Sequence, residues 1–212
     1  TLIFNGEIYN FRTLRDELIK LGYEFHSTSD SEVLLKGYLE WGKEVLSKIS
    51  GMFAFVIYDK KKEIIFGARD LFGEKPLHYI YNQNKFCFAS EIKSFTPTKL
   101  MGDISYVNIG FYLKKGFFKK GTTIYENILE IGPAECFTLD IRTWNFRVEP
   151  YAKGQVELKE TSTLSHFDAI DEFEEIFTSC INERLVADVS IGLLLSSGID
   201  SPLTGLYASK YS

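Results

Sequence analysis

Cysteine is scarce in this sequence. Its 212 residues contain three, Cys87, Cys136 and Cys180, which lie far apart and show no metal-ligand spacing. Cysteines this few and this scattered exclude a disulfide-stapled secreted scaffold and a cysteine-based metal site. We therefore expect reduced thiols and a cytoplasmic protein.

Long apolar runs and excess positive charge are also missing. No run is long enough to cross a bilayer, and we expect no secretory signal. The net charge is -5, so no basic excess attracts nucleic acid or an anionic membrane, and neither is expected as a partner.

What is present is an ordinary globular composition. Hydrophobic residues make up 45% and charged residues 25%, with 18 Phe and 12 Tyr to fill a core. The length allows one large domain, or one domain and part of a second. Thr1 opens on an apolar run, and Ser212 closes what is predicted to be the first helix after a phosphate loop. Because natural termini are more often loose and polar, we expect a fragment.

In the first 150 residues, a short strand and two helices are predicted to come before a series of antiparallel strands. Leu2–Phe4 is predicted to end a buried strand that runs into an Asn5-Gly6 turn. Two amphipathic helices should follow, the first capped by Asn10 and the second opened by a capping box of Ser29 and Glu32. The later apolar runs predict antiparallel strands, at 52–58, 63–67, 77–81, 85–89, 134–139 and 144–148.

The pattern changes after a polar stretch, 153–165, which is predicted to be a linker. Apolar residues from Phe167 to Leu185 then recur close to every 3.6 residues and predict a long amphipathic helix. A buried strand is predicted at Val189–Leu195, followed by a loop at 196–201 and a helix with Pro202 in its first turn. This order is the opening of a parallel α/β domain.

The Asn5-Gly6 pair has the chemistry of an oxyanion hole. An amide hydrolase needs two donors aimed at one point, commonly a backbone N–H and a side-chain amide. Asn5 offers its side-chain NH₂, and Gly6 lets a substrate approach its backbone N–H closely. Taken alone, an Asn-Gly dipeptide is far more often a plain turn, so that alternative stays open.

Six blocks carry a resemblance to a known family. They are Asn5-Gly6-Glu7-Ile8-Tyr9-Asn10, Ser29-Asp30-Ser31-Glu32-Val33, Gly51-Met52-Phe53-Ala54-Phe55, Ala68-Arg69-Asp70, Gly73-Glu74-Lys75-Pro76-Leu77 and Phe88-Ala89-Ser90-Glu91-Ile92-Lys93. Over nearly all of residues 1–150 the chain resembles the class II glutamine amidotransferases, which are N-terminal-nucleophile hydrolases. The resemblance implies that Asn5 and Gly6 form the oxyanion hole, while Glu7 and Asp30 hold the amino acid end of glutamine. Asp30 would pair with the α-ammonium group, and a plain helix-capping role is the alternative.

The family's nucleophile has no counterpart here. It is a cysteine at the mature N-terminus, activated by its own α-amino group, and none of the three cysteines fits that place. Thr1 does not replace it, because an extended strand would put it roughly 13 Å from Asn5. We expect the nucleophile and an arginine for the glutamine carboxylate upstream, so the chain as given should not hydrolyse glutamine. Arg69 and Asp70 are predicted to be structural, in a buried ion pair or a domain contact.

The second constellation is the loop Ser196-Ser197-Gly198-Ile199-Asp200-Ser201. Backbone N–H groups and a helix N-terminus in such a loop converge on phosphate, although a plain turn is the alternative. The loop lacks the Gly-Lys-Ser/Thr of a Walker loop and resembles the pyrophosphate loop of the N-type ATP pyrophosphatases. The resemblance implies an ATP site in which Leu194 lines the adenine pocket and Asp200 helps hold magnesium pyrophosphate. The implied ATP contacts are Leu194, Ser196, Ser197, Gly198, Asp200 and Ser201.

Both constellations together resemble the glutamine-hydrolysing asparagine synthetases. We expect an α+β fold with three parts: an incomplete N-terminal-nucleophile hydrolase α/β/β/α sandwich at 1–152, the linker at 153–165, and the start of a Rossmann-like α/β ATP-pyrophosphatase domain at 166–212. The resemblance implies an enzyme in which glutamine hydrolysis supplies ammonia to an aspartyl adenylate formed from aspartate and ATP with Mg²⁺. The products would be asparagine, glutamate, AMP and pyrophosphate, and a homodimer is one option.

Three alternatives stay open. A class II amidotransferase of the phosphoribosyl or glucosamine-phosphate type would share the first domain, but the loop at 196–201 argues against it. A relative that amidates another carboxylate, for example in polysaccharide assembly, would differ beyond Ser212. A non-catalytic relative that binds glutamine or a partner protein would lack the upstream cysteine.

Overall fold

The chain folds into two compact units, Thr1–Gln155 and Val156–Ser212. The structure is a computed structural model and describes residues 1–152, 165–187 and 189–210. Apart from Ser165, the predicted linker lies outside the described residues. Within those residues, no helix combines the length and the apolar character needed to cross a membrane.

Residues 1–152 of the first unit form two antiparallel sheets and three α-helices. Its elements in chain order are β1 (Leu2–Ile8), α1 (Phe11–Lys20), α2 (Asp30–Trp41), β2 (Gly51–Asp59), β3 (Ile64–Arg69), β4 (His78–Tyr81), β5 (Phe86–Ala89), α3 (Tyr106–Lys115), β6 (Leu129–Glu130), β7 (Glu135–Asp140) and β8 (Asn145–Pro150). Two 3₁₀ helices lie at Gly42–Ser47 and Ile92–Thr98. The first sheet has the order β1-β2-β3-β7-β8 and the second has the order β5-β4-β6. All of these pairs are antiparallel, as predicted.

Three apolar clusters show how the layers stack. Leu34 of α2 packs in one cluster with Phe55 of β2, so the early helices cover the outer face of the first sheet. Val56 of β2 and Tyr79 of β4 belong to a second cluster, which lies between the sheets. Phe95 of the second 3₁₀ helix covers the outer face of the second sheet. These layers form the predicted sandwich, and β2 is buried on both faces because it lies inside it.

The predicted turn at Asn5-Gly6 is wrong. β1 continues through both residues to Ile8, because β2 supplies a pairing partner along the whole length, from Leu2↔Ile57 to Ile8↔Gly51. A continuous partner strand outweighs the turn preference of the dipeptide.

The two predicted helix starts are right, but the capping contacts differ from the prediction. Asn10 precedes α1 without capping it; its side chain instead donates to the Lys48 carbonyl at 2.8 Å and accepts from the Ser50 N–H at 2.9 Å. Ser29 does cap α2, since its hydroxyl oxygen accepts from the Ser31 N–H at 3.2 Å. Glu32 does not complete the capping box and bonds to residues before Ser29 instead.

The second unit contains α4 (His166–Arg184) and α5 (Asp200–Ser209). The rings of Phe177 and Tyr207 meet edge to face between these helices, with centroids 5.3 Å apart. Both helices confirm the sequence pattern, but the predicted strand at Val189–Leu195 does not form. A strand exists through hydrogen bonds to a neighbouring strand, and the described part of this unit provides none.

Asp70 holds a tight loop together at the end of β3. It is 1% exposed, and its carboxylate accepts four backbone N–H groups. Oδ1 accepts from Phe72 at 3.0 Å and Glu74 at 2.9 Å, while Oδ2 accepts from Lys75 at 3.0 Å and Phe53 at 3.2 Å. One carboxylate therefore fixes the loop and fastens it to β2.

Arg69 joins the two sheets. Its guanidinium donates to Glu130 of β6 at 2.7 Å and to the carbonyl of Ile131 at 2.8 Å. It also donates to the carbonyls of Gly73 at 2.8 Å and Lys75 at 2.7 Å. Arg69 therefore has a structural role, as predicted, in a part-buried ion pair with Glu130. Asp70 is also structural, but it bonds backbone N–H groups and not a cation.

We predict that Asp70→Asn destabilises the protein by about 2–4 kcal/mol, because an amide NH₂ would face backbone donors and leave buried N–H groups unsatisfied. Exposed Asp16 provides the control, and Asp16→Asn should change the stability by less than about 0.5 kcal/mol. Urea unfolding of the full-length protein measures the loss. Hydrogen exchange of the Phe72, Glu74 and Lys75 amides should accelerate in the Asp70 variant, and unchanged exchange there would contradict the assigned role.

Candidate functional site

The side chains of β1 alternate between two faces of the first sheet. Asn5 lies opposite Ala54 of β2 in the ladder, and Ala54 packs in the cluster between the sheets. Directly opposite residues share a face, so Asn5 and Glu7 point to the side of the second sheet. Both remain exposed, which makes this end of the sandwich accessible to a ligand.

The backbone N–H groups of β1 also alternate in direction, and this alternation determines where the Gly6 N–H points. Thr1 and Tyr58 exchange hydrogen bonds at 3.0 and 2.8 Å, so odd-numbered β1 residues form the hydrogen-bonded pairs of the antiparallel ladder. Even-numbered residues then direct their N–H groups away from β2. The Ile8 N–H confirms this, since it donates sideways to Asp30 Oδ2 at 3.0 Å. The Gly6 N–H lies on the same free side.

Asn5 adds a second donor beside that N–H. Its Nδ2 donates one hydrogen to the Ser90 hydroxyl at 3.1 Å. A side-chain amide carries two donor hydrogens, so one remains for a ligand. The side-chain amide of Asn5 lies on the inter-sheet face, and the N–H of the next residue, Gly6, lies on the free edge of β1. Two donors of these kinds, aimed at one point, are what an oxyanion hole requires.

Packing makes glycine necessary at position 6. Its φ is +144°, and a Cβ there would lie 2.1 Å from the carbonyl oxygen of Met52 and 2.7 Å from Phe53 Cα. Across the ladder a Cβ on Gly51 would lie 2.1 Å from the Glu7 carbonyl oxygen. Real Cβ atoms do not approach backbone so closely, so the two glycines let β1 and β2 close together.

Asp30 reaches the same edge from the start of α2. It is the first residue of that helix, and Ser29 is the cap, so a simple capping role for Asp30 is wrong. One carboxylate oxygen of Asp30 holds the Ile8 N–H, while the other lies 3.3 Å from the Ser31 hydroxyl. Each carboxylate oxygen has two lone pairs, so Asp30 keeps capacity to accept from a ligand.

Glu32 orders the chain that leads into Asp30. Its carboxylate accepts from the hydroxyl and the N–H of Ser27, both at 2.7 Å, and from the N–H of His26 at 3.1 Å. The Ser27 hydroxyl bond is the largest cause that lowers the pKa of Glu32 to about 2. Glu32 therefore stays ionised and holds the turn before α2.

The structure brings the four predicted glutamine residues, Asn5, Gly6, Glu7 and Asp30, to the Ile8 end of β1, and we call this group the β1 edge site. Sequence reasoning assigned no role to Ser90, although it lies in one of the six blocks. Its hydroxyl position depends on the second sheet, so no local pattern could show the contact with Asn5.

Neither cysteine of the first unit, Cys87 or Cys136, is placed to attack a substrate at the β1 edge site. Cys136 is buried on β7, where desolvation raises the pKa of its thiol to about 11. Cys87 packs on the outer face of the second sheet, and Cys180 belongs to α4 in the other unit. Thr1 stands at the opposite end of β1, with its amino group bonded to Tyr58.

The loop before α5 is closed by its own serines. The hydroxyls of Ser196 and Ser201 lie 2.7 Å apart, and the Ser196 N–H donates to Ser201 Oγ at 2.9 Å. The Gly198 N–H donates to Ser196 Oγ at 3.3 Å, and Asp200 begins α5. The structure thus gathers hydroxyls and a helix N-terminus at one exposed place.

The other residues that we predicted to contact ATP are exposed to solvent. Ser197 and Asp200 are exposed, and Leu194 is 95% exposed. The described residues thus form no adenine pocket around Leu194, and its role stays a prediction. They also contain no cluster of three or more His, Cys, Asp or Glu that could hold a metal ion.

Two protein families match separate parts of the chain. Residues 1–152 match the glutamine amidotransferase domain family. Residues 172–212 match the asparagine synthase family.

Individual relatives agree with these matches. Glutamine-hydrolysing asparagine synthetase 3 of Bacillus subtilis (strain 168) is 34% identical over 220 residues, covering 100% of this chain and 34% of that protein. Asparagine synthetase 1 of the same organism is 34% identical over 210 residues, covering 99% of this chain and 33% of that protein. The chain therefore spans about a third of the length of these curated relatives.

A solved structure shows the same fold. Glutamine phosphoribosylpyrophosphate amidotransferase from B. subtilis, complexed with ADP and GMP, aligns with a TM-score of 0.53 and 17% identity. The alignment covers 99% of this chain and 44% of that one. At this identity the likeness establishes the fold alone, which is the expected N-terminal-nucleophile hydrolase sandwich.

We predict that Gly6→Ala destabilises the protein by more than about 2 kcal/mol, because the new Cβ would force β1 away from β2. Gly22→Ala is the matched control: Gly22 also has a positive φ, +94°, but no atom lies within 4 Å of the added Cβ. The Gly22→Ala variant should lose only about 1 kcal/mol of its free energy of unfolding. Chemical denaturation of both variants gives the comparison, and equal losses would refute the close approach of the two strands.

Proposed function

Because the chain belongs to the glutamine amidotransferase family, we propose that the β1 edge site binds glutamine and stabilises the oxyanion formed when its side-chain amide is hydrolysed. The observation that carries the proposal is the pair of donors from adjacent residues, the second amide hydrogen of Asn5 and the free N–H of Gly6. When a nucleophile attacks the amide carbon, negative charge builds on the carbonyl oxygen. Donors already held in place stabilise that charge without reorganisation.

Asp30 and Glu7 supply the negative charge at the other end of the substrate. The α-ammonium group of glutamine is a cation with three donor hydrogens, and a carboxylate is its natural partner. The bond from the Ile8 N–H to Asp30 fixes one carboxylate oxygen at the strand edge. Glu7 projects two residues from Asn5 on the same face, roughly 7 Å along the strand. That spacing suits a ligand with an amide at one end and an ammonium group at the other.

The attacking group belongs, in this proposal, to a cysteine at the mature N-terminus of a longer protein. Its thiolate would add to the amide carbon, and its α-amino group would carry the proton to the departing ammonia. Water would then release glutamate from the thioester. The residues of this chain would position the amide in the first step and stabilise the negative charge on the same carbonyl oxygen in both steps.

For the second unit we propose a site for ATP with Mg²⁺ at the 196–201 loop. Ser196, Gly198 and Ser201 are grouped as phosphate ligands would be, at a helix N-terminus whose dipole favours anions. Mg²⁺ takes oxygen ligands, usually one or two carboxylates with phosphate oxygens and water, and Asp200 fits that set. Bound ATP supplies the electrophilic phosphorus that activates a carboxylate. The loop would hold the pyrophosphate portion against the start of α5.

For the whole protein we propose glutamine-dependent asparagine synthesis. The family matches support both halves: a domain that releases ammonia from glutamine, and a segment related to asparagine synthases. Aspartate would be adenylated by ATP and its adenylate converted to asparagine by the ammonia. Because the chain spans about a third of its curated relatives, the aspartate specificity is inferred from relatives and not from a pocket.

Replacing the side-chain donor of the oxyanion hole should slow glutamine hydrolysis. We predict that Asn5→Ala in the full-length protein lowers the glutaminase kcat by ~100-fold or more. Asn84, in the turn between β4 and β5, gives a matched control, and Asn84→Ala should keep the parent rate. Glutamate release under saturating glutamine measures both. A parent-like rate for Asn5→Ala would place the oxyanion hole elsewhere.

The nucleotide site is tested separately. We predict that Asp200→Ala abolishes aspartate-dependent ATP–pyrophosphate exchange, because the loop loses the carboxylate proposed for magnesium, while glutamine hydrolysis continues. Asp171→Ala, an equal change on the exposed surface of α4, should retain exchange. Retained exchange in the Asp200 variant would show that this loop does not hold pyrophosphate.

A further inference from the structure

One side-chain hydrogen bond crosses between the sheets at the β1 edge site. Asn5 lies in the first sheet, and Ser90 directly follows β5 of the second sheet. Asn5 Nδ2 donates to Ser90 Oγ across 3.1 Å. The donor proposed for catalysis and its partner are therefore 85 residues apart in the chain, and the sandwich brings them together.

Ser90 is itself held in place. His78 of β4 pairs with Ala89, and its Nδ1 lies 3.1 Å from the Ser90 carbonyl oxygen. A carbonyl only accepts, so Nδ1 carries the hydrogen. Burial is the main cause that lowers the pKa of His78, which favours the neutral ring at neutral pH. The second sheet thus presents the Ser90 hydroxyl at a fixed point.

Asn5 needs such a restraint. The χ2 torsion of asparagine is broad and roughly two-fold, and Asn5 is exposed. A free carboxamide could turn its Oδ1 toward the developing oxyanion, which would oppose catalysis. The Ser90 hydroxyl takes one amide hydrogen and fixes the plane of the group. The other amide hydrogen is then held for the substrate.

We propose that Ser90 is a positioning residue for glutamine hydrolysis, and that it acts by orienting the Asn5 carboxamide. This role rests on the proposed function, because it requires Asn5 to be an oxyanion donor. It assigns no contact between Ser90 and the substrate. Removing the hydroxyl should therefore impair the chemical step and spare substrate binding.

The test uses glutaminase kinetics of the full-length protein with Ser90→Ala, Ser90→Thr, Asn5→Ala and the Ser90→Ala/Asn5→Ala double variant. We expect Ser90→Ala to lower kcat by about 10-fold, the loss expected for one hydrogen bond, and to change KM by less than about 2-fold. Ser90→Thr keeps a hydroxyl and should restore most of the rate. Ser94→Ala, an exposed serine on the adjacent 3₁₀ helix, is the matched control and should keep the parent kcat.

The double variant decides whether Ser90 acts through Asn5. If it does, adding Ser90→Ala to Asn5→Ala should lower kcat no further. A further 10-fold loss would show an independent or general structural effect and overturn the proposal. A parent-like Ser90→Ala, with Asn5→Ala impaired, would overturn the role of Ser90 alone. A parent-like Asn5→Ala would overturn the proposed oxyanion hole, and the role of Ser90 with it.

Discussion

The buried carboxylate of Asp70 is the interaction on which the rest of the first unit depends. β3 stops pairing with β2 at Arg69, and Asp70 then takes over by bonding both backbone groups of Phe53. Phe53 is the ladder partner of Gly6. The Asp70 loop therefore fixes the strand against which Gly6 packs, and Arg69 carries the connection to the second sheet through Glu130. Backbone N–H groups use all the acceptor sites of the Asp70 carboxylate. These bonds explain why Asp70 is buried without a catalytic role.

An open strand edge is a hazard in most proteins, since its unpaired N–H groups invite association with other strands. Within the residues that the structure describes, β1 is the end strand of its sheet, and its open edge carries the donor pair proposed for the oxyanion hole. Asp30 covers the Ile8 N–H, whereas the Gly6 N–H two residues earlier faces outward. Asp30 therefore has an observed structural contact at this edge, beside the role in substrate binding that we propose for it.

The sequence predicted what local patterns determine. Alternating and continuous apolar runs located the later strands, and the 3.6-residue period located α4. Predictions failed where residues distant in the chain determine the local structure. Asn5-Gly6 is part of a strand because β2 pairs with it. Val189–Leu195 forms no strand because the described residues provide no partner strand for it. The candidate residues of the β1 edge site were named through family resemblance and then found on one edge. The contact between Asn5 and Ser90 depends on how two sheets stack, which no local pattern shows.

The site is consequently a property of the sandwich and not of the Asn-Gly dipeptide. Asn5 comes from the first sheet, its restraint from the second, and Arg69 with Glu130 holds the sheets at their separation. The fold alone does not establish the chemistry. The chemical inference comes from a donor pair that this arrangement leaves facing outward, next to carboxylates suited to the ammonium group of an amino acid.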